Sequence, residues 1–357
     1  MWPDRRIQDL FEIQLPVLLA PMAGVVFADL AVAVAEAGGL GALPCAMFSL
    51  EQVRAEFTAI RKRTSKPINL NFFCHTPPAI DQARESRWRE RLKSYYDELG
   101  ITPDTPIPTS NRTPFDGAFC DLVEELKPQV VSFHFGLPDA KLVARIKQAG
   151  CKVISSASTV AEAIWLEERG CDAVIAQGAE AGGHRAMFLT EDVATQVGTM
   201  ALVPQVVDAV KVPVIASGAI TDARGIVAAF ALGASAVQIG TAYMFCPEAK
   251  IAAPHRKVLR DAKNHPTAIT NVFTGRPARS FVNRTVREVG PLSDLAPQFP
   301  LAGGALTPLR AKSEPAGSGD FMSLWSGQAA ALAREMPAGE LTTTLIAEAE
   351  ALTKRLA

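Results

Sequence analysis

The stretch Lys152-Val-Ile-Ser-Ser-Ala-Ser-Thr-Val-Ala-Glu-Ala-Ile-Trp-Leu-Glu-Glu-Arg-Gly-Cys-Asp-Ala-Val-Ile-Ala176 reads as a strand, a helix and a second strand. A β-branched run over Lys152 to Ser156 gives way to an Ala- and Glu-rich helix from Thr159 to Arg169, and Gly170 ends that helix before the apolar run Ala173 to Ala176. Glycine at such a point closes a helix in the left-handed conformation. The unit is β, α, β with short joints, which is how parallel strands are connected.

Working outward, the same rhythm predicts strands at Val17 to Ala20, Leu40 to Leu43, Ile68 to Phe73, Val130 to Phe133, Val214 to Ser217 and Ala236 to Ile239, making eight in all. Helices are expected at Ala28 to Ala37, Leu50 to Thr64, Asp139 to Ala149 and Asp222 to Leu232. Eight strands with crossover helices fit a closed α/β barrel, the TIM (β/α)8 fold, better than an open doubly wound sheet. No Gly-x-Gly-x-x-Gly turn follows the first strand; Ala20-Pro-Met-Ala-Gly24 stands there instead.

Two segments break the rhythm. His75 to about Phe115 is polar, with Arg84, Arg87, Arg89 and Arg91 on an expected surface helix and then the loop Thr102-Pro-Asp-Thr-Pro-Ile-Pro-Thr109, and it reads as an insertion after the third strand. Residues 246 to 321 are rich in proline and glycine and read as a smaller subdomain over the barrel mouth, leaving 1 to 245 as the barrel. The tail from Met322 to Ala357 is expected to be helical and to pack back on the barrel, with Pro337 as an internal break.

The chain has 357 residues, 48% hydrophobic and 20% charged, with a formal net charge of −1, so it has a core to bury and no basic surface of the kind that binds nucleic acid. The charged start Met1-Trp-Pro-Asp-Arg-Arg6 and the lack of a long uncharged run give the expectation of a cytoplasmic protein with no membrane partner, monomer or homodimer. Its six cysteines form no Cys-x-x-Cys pair, so neither a zinc site nor a disulfide framework is expected.

Barrel chemistry sits at the carboxyl ends of the strands. Those ends carry Pro21-Met-Ala-Gly24, Asn71, His134, Gln177, Ser217-Gly-Ala219 and Gln238-Ile-Gly-Thr241. Glycines after the seventh and eighth strands let amides approach a phosphate, and the amides of Asn71 and Gln177 suit a flavin ring with mixed carbonyl and N–H edges. Each of these residues also has a plain reading as a turn or a satisfied backbone partner. His184 ends the run Gln177-Gly-Ala-Glu-Ala-Gly-Gly-His184, where paired glycines admit a planar ligand beside the imidazole, and it is the expected catalytic residue. His134 and Arg185 are substrate candidates; His75, His255 and His265 are read as surface histidines.

Ala176-Gln-Gly-Ala-Glu-Ala-Gly-Gly-His-Arg185 resembles the FMN-dependent nitronate monooxygenases, formerly called 2-nitropropane dioxygenases, together with Leu19 to Gly24, Asn69 to His75, Ser132 to Pro138, Gln238 to Thr241, Thr274 to Arg279 and Leu324 to Gln328. The resemblance spans nearly the whole chain. It implies that Pro21, Met22, Ala23, Asn71, Gln177, Gly182, Gly183, Gly218, Ala219, Gln238, Gly240 and Thr241 line an FMN site, with His184 catalytic and no metal. It also implies oxidation of alkyl nitronates by dioxygen to a carbonyl compound and nitrite without NAD(P)H. Leu324-Trp-Ser-Gly-Gln328 and Asn71-Phe-Phe-Cys-His75 look like the branch that accepts propionate 3-nitronate. Two departures stand out, since family members often carry glycine where this chain has Ala186 and Ala219, and an added Cβ crowds the backbone wherever φ is positive. The rival readings are an NAD(P)H-dependent flavin reductase of quinones or enoyl thioesters, and a non-catalytic flavin-binding module.

Overall fold

The computed structural model describes residues 4–102, 105–108, 110 and 112–356. Positions 103, 104 and 109 of the proline-rich loop, and the first three and last residues of the chain, lie outside the described residues.

Eight parallel strands form the barrel: β1 Val17–Leu19, β2 Gly41–Pro44, β3 Ile68–Phe73, β4 Val130–His134, β5 Lys152–Ala157, β6 Ala173–Gln177, β7 Val214–Ser217 and β8 Ala236–Ile239. Each pairs with the next in sequence, β1 pairs with β8, and a parallel bridge between Leu18 and Leu40 closes the ring. Nearly every strand residue is buried, as expected where helices cover the outer face and side chains fill the interior. At the amino-terminal end the interior is plugged by Ile7 and Phe11 from the short Arg6–Phe11 helix and by Ile13 just after it, packed against Leu18, Leu40, Val130, Ile154, Ile175 and Ile215. The opposite end is left for the site.

The helix starts are written locally. Ser49 Oγ accepts from Gln52 N while Gln52 Oε1 accepts from Ser49 N, a reciprocal cap, and the side chains of Asp116, Asp139, Thr159 and Asp222 cap their helices in the same single-sided way. At Gly41 a Cβ would lie 2.2 Å from the Ala31 carbonyl oxygen, so glycine there lets the Ala28–Glu36 helix press against β2.

The two segments that break the βα rhythm share one core. Trp88, Leu92, Tyr95 and Tyr96, from the Gln82–Glu98 helix of the insertion, pack on Val272, Phe273, Val286, Leu306, Leu309 and Phe321. Trp88 Nε1 donates to the Ala302 carbonyl at 3.0 Å, and Tyr96 Oη to that of Ala305 at 2.6 Å. The helix read as a surface element therefore buries one face. A three-stranded sheet, Thr267–Thr270, Ala278–Phe281 and Gly183–His184, ties this unit to the loop after β6, with Ala278 opposite His184.

The expected helical tail needs correction. Residues 322–337 are mostly irregular, and the helix begins only at Ala338, so Pro337 precedes it rather than interrupting it. Other bonds hold the irregular stretch: Trp325 bridges Ser280, Gly327 N donates to Thr241 Oγ1 and Gln328 N to the Glu180 carbonyl. The Ala338–Leu356 helix itself packs on the barrel through Leu341, Leu345, Ile346 and Ala349, and Thr342 Oγ1 meets Tyr243 Oη at 2.8 Å.

Candidate active site

A cavity of about 350 Å3 opens at the carboxyl ends of the strands, within the usual size of a small-molecule site. It is lined by His184, by His134 and by all of Pro21, Met22, Ala23, Asn71, Gln177, Gly182, Gly183, Gly218, Ala219, Gln238, Gly240 and Thr241. Residues up to 220 positions apart thus meet in one place because each ends a neighbouring strand. Arg185 is absent from the lining.

The His184 ring stands among the rings of Phe73, Phe135, Phe299 and Trp325, with centroids 5.3 to 6.2 Å away. Its Nε2 lies 2.9 Å from Thr274 Oγ1, and Nδ1 has no protein partner among the described residues. Burial, then the charges of Arg112, Arg276 and Arg185, hold its pKa well below the usual value, so the imidazole is neutral at pH 7. The His184 carbonyl accepts from Gln177 Nε2 at 3.0 Å and from His134 Nε2 at 3.2 Å. Burial and the nearby Arg276 push His134 down to about 3, so it too is neutral.

The polar side chains are partly committed to the protein. Gln177 Oε1 accepts from Ala186 N at 2.8 Å, so this amide clamps the backbone on both sides of Arg185, and its second N–H has no partner among the described residues. Asn71 Nδ2 donates to Ser132 Oγ and to the Ser132 carbonyl, which leaves Oδ1 as its available acceptor. Gln238 Oε1 is buried with no partner among the described residues, an acceptor in want of a donor.

Gly218 and Ala219 both have positive φ, 120° and 57°, and their amides donate to no protein acceptor among the described residues. Successive free amides in such a turn make a seat for an anion. Ala186, the other departure, is buried and has no positive φ, so its Cβ is accommodated.

Four sequence expectations change. Arg185 is fully buried; its guanidinium donates to the carbonyls of Gly178 at 2.8 Å and Ala181 at 2.7 Å, bracing the loop from inside instead of meeting substrate. His75 and His255 are buried, 6% and 7% exposed, and His255 lines the cavity. Burial takes both of them down to about 4. Arg112, passed over as part of a polar insertion, lines the cavity beside His184 and forms no ion pair with a carboxylate among the described residues. No local signal marks it, because its neighbours in space come from β3, β6 and the subdomain. None of the three tyrosines lines the cavity.

The sequence model described as "Nitronate monooxygenase" matches residues 4–348. The chain belongs to the nitronate monooxygenase family. A nitronate monooxygenase of Pseudomonas aeruginosa is 41% identical over 345 residues, 96% of this chain and 98% of that one. One of Paraburkholderia phytofirmans is 40% identical over 96% of this chain and 94% of its own. Among solved structures, a nitroalkane oxidase from Streptomyces ansochromogenes superposes with a TM-score of 0.90 at 37% identity, covering 99% of this chain and 100% of that one. FabK from Thermotoga maritima gives 0.76 at 28% identity, over 98% and 97%. As a nitronate monooxygenase family member the protein is an oxidoreductase, and the family is a group of flavoproteins. Among the described residues no helix is long and apolar enough to cross a membrane, and no cluster of three His, Cys, Asp or Glu could hold a metal.

Proposed function

We propose that the cavity holds FMN and that the enzyme oxidises alkyl nitronates such as propionate 3-nitronate with dioxygen, giving a carbonyl compound and nitrite. The observation that carries this reading is a neutral His184 in an aromatic-walled cavity that also holds the cation of Arg112, with neither His184 Nδ1 nor the Arg112 guanidinium partnered among the described residues.

The residues present fit the cofactor. Gly218 and Ala219 offer free amides to its phosphate, Gly240 and Thr241 stand at the end of the neighbouring strand β8, and Asn71 Oδ1, Gln238 and the free N–H of Gln177 suit the ring edge. Pro21, Met22, Ala23, Gly182 and Gly183 present backbone or small side chains that a flat ring can approach. FMN, when bound, supplies the redox chemistry and the reaction with dioxygen.

The protein's own residues do the rest. When the substrate arrives as a neutral nitroalkane, His184 takes a proton from the α-carbon at Nδ1. A preformed nitronate needs no such step, and its anion is held by the positive potential of Arg112 in surroundings where water cannot screen it well. Phe73, Phe135, Phe299 and Trp325 exclude water from the reacting carbon. The six cysteines are free and five are buried, which suits a reducing compartment, and we place the enzyme in the cytoplasm.

The test is the absorbance spectrum of the purified protein, followed by nitrite and oxygen uptake with propionate 3-nitronate in air. His184→Asn should keep its yellow flavin, lose most turnover of the nitroalkane and lose less of the nitronate. Equal nitrite release by variant and parent from both forms refutes the role of His184. Anaerobic bleaching by NADH at a catalytic rate would favour the reductase instead.

A further inference from the structure

A neutral imidazole carries one proton, and its placement decides what His184 offers the substrate. With the proton on Nε2, the cavity meets the Nδ1 lone pair, a base; with it on Nδ1, the cavity meets a donor. The geometry points to Thr274 as the positioning residue that holds His184 in the Nε2–H form, an inference that rests on the reading of His184 as the base.

Thr274 is 3% exposed, and its Oγ1 is the one side-chain partner of the His184 ring among the described residues. The same oxygen lies 3.5 Å from Arg276 N and 3.4 Å from the Arg276 carbonyl oxygen. If Nε2–H donates to Oγ1, then Arg276 N–H also donates to Oγ1 and the hydroxyl proton goes to the Arg276 carbonyl, so each group in the set is paired. If the hydroxyl turned to Nε2 instead, that carbonyl would lose its threonine donor inside a buried turn. The turn is packed closely against the backbone of residues 297–299, where Gly275 (φ 88°) leaves no room for a Cβ beside the Pro297 carbonyl oxygen. The rings of Phe73, Phe135, Phe299 and Trp325 offer Nε2 no competing acceptor.

The proton-transfer step balances simply. The α-C–H proton moves to Nδ1, the electron pair stays on the substrate as the nitronate, and the imidazolium keeps its Nε2–H bond to Thr274. The charged groups that face the ring, Arg112, Arg276 and Arg185, oppose that imidazolium, and His134 beside them is neutral, which makes a retained acceptor at Nε2 matter more.

The test uses the flavin-loaded enzyme with nitroethane and with preformed ethyl nitronate. Thr274→Val should lower kcat/KM for nitroethane by about 10- to 100-fold, change the nitronate reaction by less than about 3-fold and shift the pH profile of the nitroethane reaction, while Thr274→Ser restores all three. Nitrogen-15 NMR of the parent enzyme should show His184 Nε2 protonated and Nδ1 bare. A protonated Nδ1 in the parent, or a Val variant as fast on nitroethane as the parent, overturns the inference. If His184→Asn also keeps nitroethane turnover, the base reading itself has failed. Should the Val variant not fold, the NMR assignment alone decides.

Discussion

Ala219 and Gly218 are neighbours with positive φ, and the same exchange of one methyl group should act on them with opposite sign. At φ 57° the Ala219 Cβ crowds the following carbonyl, a strain of about 1 to 2 kcal/mol in an L-residue. Replacing it with glycine removes that strain and raises the entropy of the unfolded chain by about 0.5 to 1 kcal/mol. The net expectation for Ala219→Gly is stabilisation by roughly 0.5 kcal/mol. At Gly218, φ is 120°, outside the left-handed well, and a Cβ would sit 2.7 Å from Thr199 Oγ1 and 3.2 Å from Ala181 N. Gly218→Ala therefore adds a clash to the strain and should destabilise by about 2 kcal/mol or more. A thermal scan is too blunt for the smaller effect, because a chain of this size unfolds with an entropy near 0.7 kcal/mol per degree. Urea unfolding of the flavin-free protein, with the slope m held in common, resolves it. Ala219→Gly destabilising by more than about 0.5 kcal/mol at unchanged m would refute the strain argument.

Three further outcomes are expected. Arg112→Gln should raise KM for a nitronate by about 10-fold or more with a smaller change in kcat, because a buried cation is lost from the ground state and the transition state alike; unchanged KM in steady-state nitrite assays counts against it. Arg185→Met should destabilise by about 3 kcal/mol and lower flavin content, since the carbonyls of Gly178 and Ala181 lose their donors in a buried loop; a variant with the parent's urea midpoint and full colour would contradict this. His75, His134 and His255 are neutral when folded, with pKa values of about 4, 3 and 4, whereas in the unfolded chain each binds a proton near pH 6.5. Their contribution is complete above pH 6.5 and falls as pH drops toward 4, by up to about 1.4 kcal/mol per unit for each, so urea midpoints should decline from pH 7.5 to 5 and flat midpoints would contradict the burial argument.

The cavity's contents were unequally legible along the chain. Residues at strand ends could be found from the βα rhythm alone, because a strand's carboxyl end faces the mouth whatever its side chains are; Asn71, Gln177, Gly218 and Gly240 all come from that rule. Arg112, Thr274 and His255 could not, since nothing in their own neighbourhoods differs from a polar loop or a short helix. Arg185 misled for a related reason: its burial follows from three-dimensional closure of the loop over it, which no local pattern records. The tail misled because the backbone of Leu324-Trp-Ser-Gly-Gln328 is taken up by Ser280, Thr241 and Glu180, partners that no local pattern records.

Local periodicity, cap residues and glycine placement were sufficient for the eight strands, for five of the helices between them and for the position of His184 after the sixth strand, because those features depend on hydrogen bonds and torsions within a few residues; the Gly117–Leu126 and Thr199–Ala209 helices went unread. The protonation state of His184, its attachment to Thr274, the union of the insertion with the 246–321 segment and the cation at the cavity depend on contacts between residues tens to hundreds of positions apart. Desolvation and charge proximity are properties of that assembled surface, so they came into being only with the tertiary structure.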